Sequence, residues 1–364
     1  MNTHTQQLHD QGQRLWLDNI TREILVDGAL ARYIAEFSVT GLTSNPTIFE
    51  HAIGSGNFYD AAISELASRG ELGEDLFFAL ALQDLTQAAD LFRPIFDVSG
   101  GIDGWVSLEV SPLLVDNPVQ TIHAAARLHA AAGRPNLFIK IPGTTAGVAA
   151  IEESIFAGIP INVTLLFSCE HYLAAAEAFM RGIERRIAAG LNPNVASVAS
   201  LFVNRWDVAV QAEVAAEFQN RLGIAVAMRT YKSYRELLAS PRWQKLAKAG
   251  VHPQRLLWAS TASKDPAAPE TLYIEALAAP DTINTIPEKT LKAFAEHGTL
   301  GAPMPVDGGF AEAVLEEFRR EGVDEAALAE RLQREGAATF STSWHAMLSR
   351  IAQKVAQLDG VASR

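Results

Sequence analysis

The chain has 364 residues, 48% hydrophobic and 20% charged, a balance that suits a globular protein with a sizeable core and excludes disordered and collagen-like chains. A net charge of −12 argues against an extended nucleic-acid surface, and no segment approaches the ~20 uninterrupted apolar residues that span a bilayer. The single cysteine, Cys169, excludes an internal disulfide and any multi-cysteine metal site, and with an N-terminus that lacks a basic region followed by an apolar run it points to the cytoplasm.

Residues 1 to 14 are polar and read as a short opening helix before the strand Leu15-Trp16-Leu17-Asp18. A helix is expected over Asp27 to Phe37, where Leu30, Tyr33, Ile34 and Phe37 form one apolar stripe. The second strand runs from Ser38 to Asn45, and Pro46 ends it with Thr43 and Asn45 on one face. Helical patterns around Ala61 to Ala67 and Leu76 to Phe92 follow, then the glycine-rich turn Ser99 to Gly104 and a third strand, Trp105 to Val110, with Ser107 and Glu109 on the face opposite Val106, Leu108 and Val110. A helix over Asn117 to Ala132, closed by Gly133, leads to Asn136-Leu137-Phe138-Ile139-Lys140-Ile141-Pro142, an apolar ribbon that one lysine interrupts. Pro142-Gly143 ends that strand just past Lys140.

Further on, Thr145 to Phe156 reads as a helix and Ile161 to Phe167 as a fifth strand with Asn162 and Thr164 on one face. A helix over Glu170 to Ala189, a sixth strand near Val195 to Phe202, a long helical region to Gly250, a seventh strand over Arg255 to Ser260 and an eighth near Thr282 to Ile286 complete the alternation. Eight strands alternating with helices predict parallel pairing with right-handed crossovers and a closed α/β barrel, the (β/α)8 TIM barrel, with additional helices. One domain over 1–364 is expected, with the barrel at about 15–290 and a charged C-terminal helical extension at about 310–364, packed against the barrel or over its mouth.

Such barrels keep their chemistry at the C-terminal strand ends, and superposing those ends brings Asp18, Thr43, Asn45, Glu109, Lys140, Asn162, Thr164, Ser200, Phe202 and Ser260 to one rim. Taken alone, Lys140 reads most simply as a lysine whose head reaches solvent from a strand end. Two carboxylates and an amine at three inward strand ends point instead to an active site, because an amine attacks a carbonyl only as the free base and needs an acid–base partner beside it.

The segments Gly41-Leu-Thr-Ser-Asn-Pro-Thr-Ile-Phe49, Val106-Ser-Leu-Glu-Val110, Asn136-Leu-Phe-Ile-Lys-Ile-Pro-Gly-Thr144, Ile161-Asn-Val-Thr-Leu-Leu-Phe-Ser168 and Val198-Ala-Ser-Leu-Phe-Val-Asn-Arg205 resemble, in the same chain order, those of the transaldolases. The resemblance implies that Lys140 forms a Schiff base with a ketose phosphate and that Asp18 takes the C4 hydroxyl proton as the carbon–carbon bond breaks. It implies that a dihydroxyacetone unit then passes to an aldose phosphate, without a metal or organic cofactor. Glu109 and Thr164 resemble the pair that holds a catalytic water, Asn45 and Asn162 those that hold substrate hydroxyls, and Thr43 and Ser200 second-line pocket groups. Arg205 resembles the family's phosphate-binding arginine, although a surface ion pair is the plainer reading of that residue. Many transaldolases carry another arginine two residues after the serine matching Ser260; Ala262 stands there in this chain, and Lys264 is the nearest cation.

Sugar phosphates are thus the expected partners, with neither nucleic acid nor membrane, and a homo-oligomer is left open. Two alternatives remain: a related aldolase that releases free dihydroxyacetone, and a sugar-phosphate-binding barrel without activity. Such aldolases usually carry Gln and Tyr where this chain has Glu109 and Phe202, and the joint presence of Asp18, Glu109 and Lys140 argues against a mere binding protein.

Overall fold

The computed structural model describes residues 1–362, and in it the eight strands pair in parallel, in chain order, and close into a barrel. They are β1 (Arg14–Asp18), β2 (Val39–Thr43), β3 (Trp105–Glu109), β4 (Leu137–Pro142), β5 (Ile161–Leu166), β6 (Ser197–Phe202), β7 (Arg255–Ala259) and β8 (Ile283–Ile286). Closure leaves no strand edge unpaired, and the crossover helices cover the outside. Almost every strand residue is therefore buried, which is why the strands read as nearly continuous apolar runs.

The barrel interior is layered. Where the strands begin, Arg14 Nε and Arg255 Nη1 reach the buried carboxylate of Asp103 at 2.8 and 2.9 Å. The next layer is aromatic: Trp105 stacks on Phe138 with ring centroids 4.0 Å apart, and Trp16 lies 6.1 Å from the same ring. Gly41 of β2 faces this layer, where a Cβ would meet the Trp16 ring at 2.6 Å and Trp105 O at 2.7 Å, so only glycine lets β2 approach. Above it Asn162 joins Ser107 and Ser200 by hydrogen bonds, and the polarity increases toward the mouth.

At the C-terminal strand ends the residues that stop a strand also start the next helix. Asn45 caps Pro46–Gly54, Thr144 caps Thr145–Ala157 and Ser168 caps Cys169–Ala188, each side chain accepting from a backbone N–H of the first turn. Gly147 lets the second of these helices begin tightly against the lysine strand, since a Cβ there would sit 1.8 Å from Pro142 O. Between β5 and its helix, Leu165 takes a left-handed conformation at φ +57°, and the pairing with β6 shifts register there.

The helix expected over Asp27 to Phe37 is present as Ala29–Glu36, and a short helix not expected from the sequence, Arg22–Val26, precedes it, with Gly28 at φ +76° turning the chain between them. The long helical region before Gly250 divides into Asn204–Val210, Leu222–Ala239 and Pro241–Lys248, the last opened by an extended Ser240 and a proline at its first position. Helices Pro46–Gly54, Leu272–Ala276 and Glu288–His297 were not resolved by periodicity. No helix among the described residues is long and apolar enough to cross a membrane.

The extension comprises Ala311–Arg320 and the 38-residue helix Glu325–Ala362, about 57 Å long at 1.5 Å per residue. The long helix lies over the mouth. Gln333 Nε2 donates to Gly143 O at 3.2 Å and Leu165 O at 2.9 Å, Thr47 Oγ1 donates to Ser343 Oγ at 2.9 Å, and Trp344 Nε1 donates to Glu74 Oε1 at 2.7 Å. Farther along, Lys354 pairs with Asp60. The helix is thus tied to the ends of β4 and β5 on one side and to the helices after β2 on the other.

Burial alone would raise the Asp103 carboxyl, but Arg255 and then Arg14 outweigh it and hold the group below the ordinary carboxylate range. A depressed folded-state value contributes stability that is present above the unfolded value and lost as pH falls through the folded one. Asp103→Ala leaves two guanidinium groups without their carboxylate and should cost ~3–5 kcal/mol in urea unfolding at neutral pH. The deficit should shrink as the wild type is taken into the acid range, and equal midpoints at neutral pH would show that the triad does not hold the barrel base.

Candidate active site

The registers of adjacent strands place the chemistry. Glu109 of β3 sits opposite Lys140 of β4, and Lys140 opposite Asn162 of β5, so the acid, the amine and the amide share one level of the barrel. Asp18 of β1 sits opposite Thr43 of β2, and Pro142 opposite Thr164. Lys140 is only 5% exposed, and its Nζ donates to Glu109 Oε2 and to Ser44 O, each at 3.3 Å. Thr43 Oγ1 donates to Asp18 Oδ1 at 3.0 Å and shares a 2.7 Å contact with Thr285 Oγ1, which steers the Asp18 carboxylate toward the interior.

Above Lys140 is a cavity of about 270 Å³. Of the residues expected from sequence, Asp18, Thr43, Asn45, Lys140, Ser200, Phe202, Arg205 and Ser260 line it. Glu109, Asn162 and Thr164 are buried and stand outside the lining. Asn162 is already engaged, accepting from Ser200 Oγ at 2.7 Å and donating to Ser107 Oγ at 3.1 Å. In this geometry Thr43 and Ser200 face the cavity, and Asn162 backs Ser200. Asn45 Oδ1 accepts from Ile48 N at 3.0 Å as the helix cap, which leaves its amide N–H groups for the cavity.

Ser260 takes a left-handed conformation at φ +55°, uncommon for a residue with a side chain, and its Oγ donates to Asn204 Oδ1 at 2.6 Å. Asn204 Nδ2 in turn donates to Ala262 O at 2.6 Å. The chain is turned there, and Lys264 is exposed and outside the cavity lining. Lys264 thus stands apart from the residues that line the cavity. Arg205 lines the cavity and makes no ion pair among the described residues, so the surface-ion-pair reading is set aside.

Thr47, Ile48, His51, Ala259, Thr285, Thr339 and Phe340 complete the lining and were missed. The first three share one face of Pro46–Gly54 at helical spacing, and Thr285 follows from alternation on β8, so those signals were present locally. Thr339 and Phe340 arrive on the C-terminal helix, and nothing local could have found them. Elsewhere a larger cleft, of about 500 Å³, borders Ser168 and Arg229, but Arg229 already pairs with Glu312 and Glu325.

Both acids are perturbed in the same direction. Burial raises the Asp18 carboxyl, with the Lys140 charge and the Thr43 hydrogen bond opposing it. Burial also raises Glu109, opposed by the charge and hydrogen bond of Lys140 and reinforced by the charge of Asp18. Two acids made more basic beside one amine hold a proton more readily than exposed carboxylates do, which suits general acid–base chemistry.

A closed parallel barrel that gathers an amine and two carboxylates at the C-terminal ends of its strands has the architecture in which barrel enzymes keep their active sites. The model of the family described as "Transaldolase/Fructose-6-phosphate aldolase" matches residues 15–351. A transaldolase of Parafrankia sp. is 44% identical over 354 residues, covering 94% of this chain and 96% of that protein. One of Thermobifida fusca is 42% identical over 98% of this chain and 99% of its own, and one of Thiobacillus denitrificans is 42% identical over 93% and 97%. The chain belongs to the transaldolase/fructose-6-phosphate aldolase family, and it is an enzyme of the transaldolase type.

Because the Asp18 charge contributes to raising Glu109, Asp18→Asn should move the Glu109 titration to lower pH. Carboxyl-carbon NMR of selectively labelled protein reads this directly. A Glu109 titration that stays in place or rises would show that the two acids are not electrostatically coupled.

Proposed function

We propose that the enzyme transfers a dihydroxyacetone unit from a ketose phosphate, sedoheptulose 7-phosphate or fructose 6-phosphate, to an aldose phosphate, glyceraldehyde 3-phosphate or erythrose 4-phosphate, in the pentose phosphate pathway of the cytoplasm. The observation that carries the reading is Lys140 within hydrogen-bond reach of Glu109 at the floor of a cavity that Asp18 also lines. The free amine adds to the ketone, water leaves, and the resulting iminium withdraws electrons from the C3–C4 bond. Asp18 takes the C4 hydroxyl proton, the bond breaks, and the aldose phosphate departs while three carbons stay on Lys140 as an enamine. Addition of that enamine to the aldehyde of a second aldose phosphate, with the proton returned by Asp18, and hydrolysis of the new iminium release the product and restore the amine.

Dehydration and hydrolysis each need a proton carrier beside Lys140. Glu109 Oε1 and Thr164 Oγ1 are buried and make no protein hydrogen bond among the described residues, and both are suited to hold the water of these steps. The raised Asp18 carboxyl is a stronger base than an exposed aspartate, which suits removal of a hydroxyl proton. Arg205 is the cation for the substrate phosphate. The relatives compared are named transaldolases, and the chain keeps Glu109 and Phe202, both of which favour transfer over release of free dihydroxyacetone.

Incubation with fructose 6-phosphate followed by borohydride should leave a three-carbon adduct on Lys140, located by peptide mass spectrometry, and Lys140→Ala should abolish both adduct and transfer. A clean adduct on another lysine would falsify the assignment. In Asp18→Asn the imine still forms but cleavage stalls, so the adduct should keep six carbons while turnover falls by ~10²–10⁴-fold.

For the phosphate, Arg205→Ala should weaken phosphorylated substrates by ~2–5 kcal/mol, read as the ratio of kcat/KM for fructose 6-phosphate and fructose. Lys264→Ala should change that ratio less, in keeping with its exposed position. An unchanged ratio in the Arg205 variant removes Arg205 from the phosphate site.

A further inference from the structure

Phe340 lies far along the chain from the barrel, yet its ring centroid is 5.7 Å from Lys140 Nζ. It is 7% exposed and 6.5 Å from the ring of Phe202, which in turn lies 5.3 Å from Phe167. The amine therefore has an apolar ring from the C-terminal helix on one side and its polar partners, Glu109 and Ser44 O, on the other. The ring is held in place from both directions along its helix. Gln333, itself 8% exposed, is bonded to Gly143 O and Leu165 O ahead of it, and Ser343 and Trp344 are bonded to Thr47 and Glu74 behind it.

We propose that Phe340 is a specificity-determining residue that decides whether the three-carbon unit on Lys140 is transferred or lost to water. The inference rests on the Lys140 chemistry proposed above. Once the aldose phosphate has left, the enamine has two fates. Its nucleophilic carbon can form a new bond to the aldehyde carbon of an acceptor. Alternatively that carbon takes a proton, water adds at the resulting iminium carbon, and the C–N bond breaks to give dihydroxyacetone and the free amine, with one water consumed overall. Both routes end in hydrolysis of an iminium by the water beside Glu109 and Thr164, so the second is set apart by the proton that must reach the enamine carbon. A phenylalanine ring beside Lys140 carries no such proton and occupies space in which a proton-delivering water would have to stand. The acceptor aldehyde enters through the cavity, where Asn45, Ser200 and Arg205 supply polar contacts, so the ring disfavours water without closing the path for sugar.

The test compares full-length wild type, Phe340→Ala, Phe340→Gln and Phe340→Leu. Fructose 6-phosphate is the donor and erythrose 4-phosphate the acceptor, and the quantity read is the ratio of free dihydroxyacetone released to sedoheptulose 7-phosphate formed. Phe340→Ala and Phe340→Gln should raise that ratio at least ~10-fold, while Phe340→Leu, which restores an apolar wall, should stay within ~3-fold of wild type. Gln fills the site and suits a helix, so its ratio decides the matter if the alanine variant does not fold. A ratio unchanged in Ala and Gln while both products decline together would mean that Phe340 only packs the helix, and the proposal falls. Failure of the underlying reading is separate: a wild type that gives no borohydride adduct on Lys140 denies the Schiff base, whereas a normal wild-type adduct with an insensitive ratio denies only the role of Phe340.

Discussion

An amine cannot be carried into a closed barrel without a partner, and the pairing of Lys140 with Glu109 is the constraint that the rest of the site obeys. The two meet at 3.3 Å with the carboxylate side chain 4% exposed and the lysine 7%. Desolvating both groups costs several kcal/mol each, and their attraction offsets that only if the geometry is held. The geometry is held by the barrel itself, since β3 and β4 pair in the register that sets Glu109 opposite Lys140. Such a pair adds little net stability compared with apolar residues of the same size. Its presence is better understood as chemistry kept at the expense of packing, and the raised carboxyls of Glu109 and Asp18 record that expense.

The two ends of the barrel divide the work. At the base, Asp103 between Arg14 and Arg255 has its carboxyl held below the ordinary range, so its charge is favoured and structural. At the mouth, acids near a single amine have theirs raised, so a proton is easily held and passed. The aromatic layer of Trp16, Trp105 and Phe138 lies between the two groups, so each end has its own electrostatics. The same strand ends that present the polar side chains carry the helix caps, which fixes Asn45 in one orientation and ties the site to the outer ring of helices.

The C-terminal helix shows how an amphipathic segment becomes part of a site. Some of its charges pair locally, as Arg331 with Glu335, and others with neighbouring helices, as Glu325 with Arg229 and Lys354 with Asp60, whereas Phe340, Trp344, Met347 and Ile351 are buried against the barrel and its helices. Trp344 packs on Phe77 and Phe78, so the helix is anchored on an insertion longer than a single barrel unit needs. The unusual length of the segment between β2 and β3 thus finds its use in holding the cover of the mouth.

Much of this was determined by the sequence alone. Period-two alternation within short apolar runs placed Asp18, Glu109, Lys140, Asn162 and Ser200 on inward faces, because in a parallel barrel the side-chain direction follows from position along the strand. Prolines and glycines marked the ends of those strands, and chain order did the rest. The tertiary structure decided what depends on groups distant in the chain. It placed Ser200 at the cavity and Asn162 behind it, because hydrogen bonding between them is set by the β5–β6 register and its bulge near Leu165. It turned the chain sharply after β7, because Ser260 is held in a left-handed conformation by Asn204. It brought Phe340 over Lys140, because a helix made of charged and apolar residues in helical rhythm can lie on any complementary surface, and only the packing of Gln333 and Trp344 selects this one.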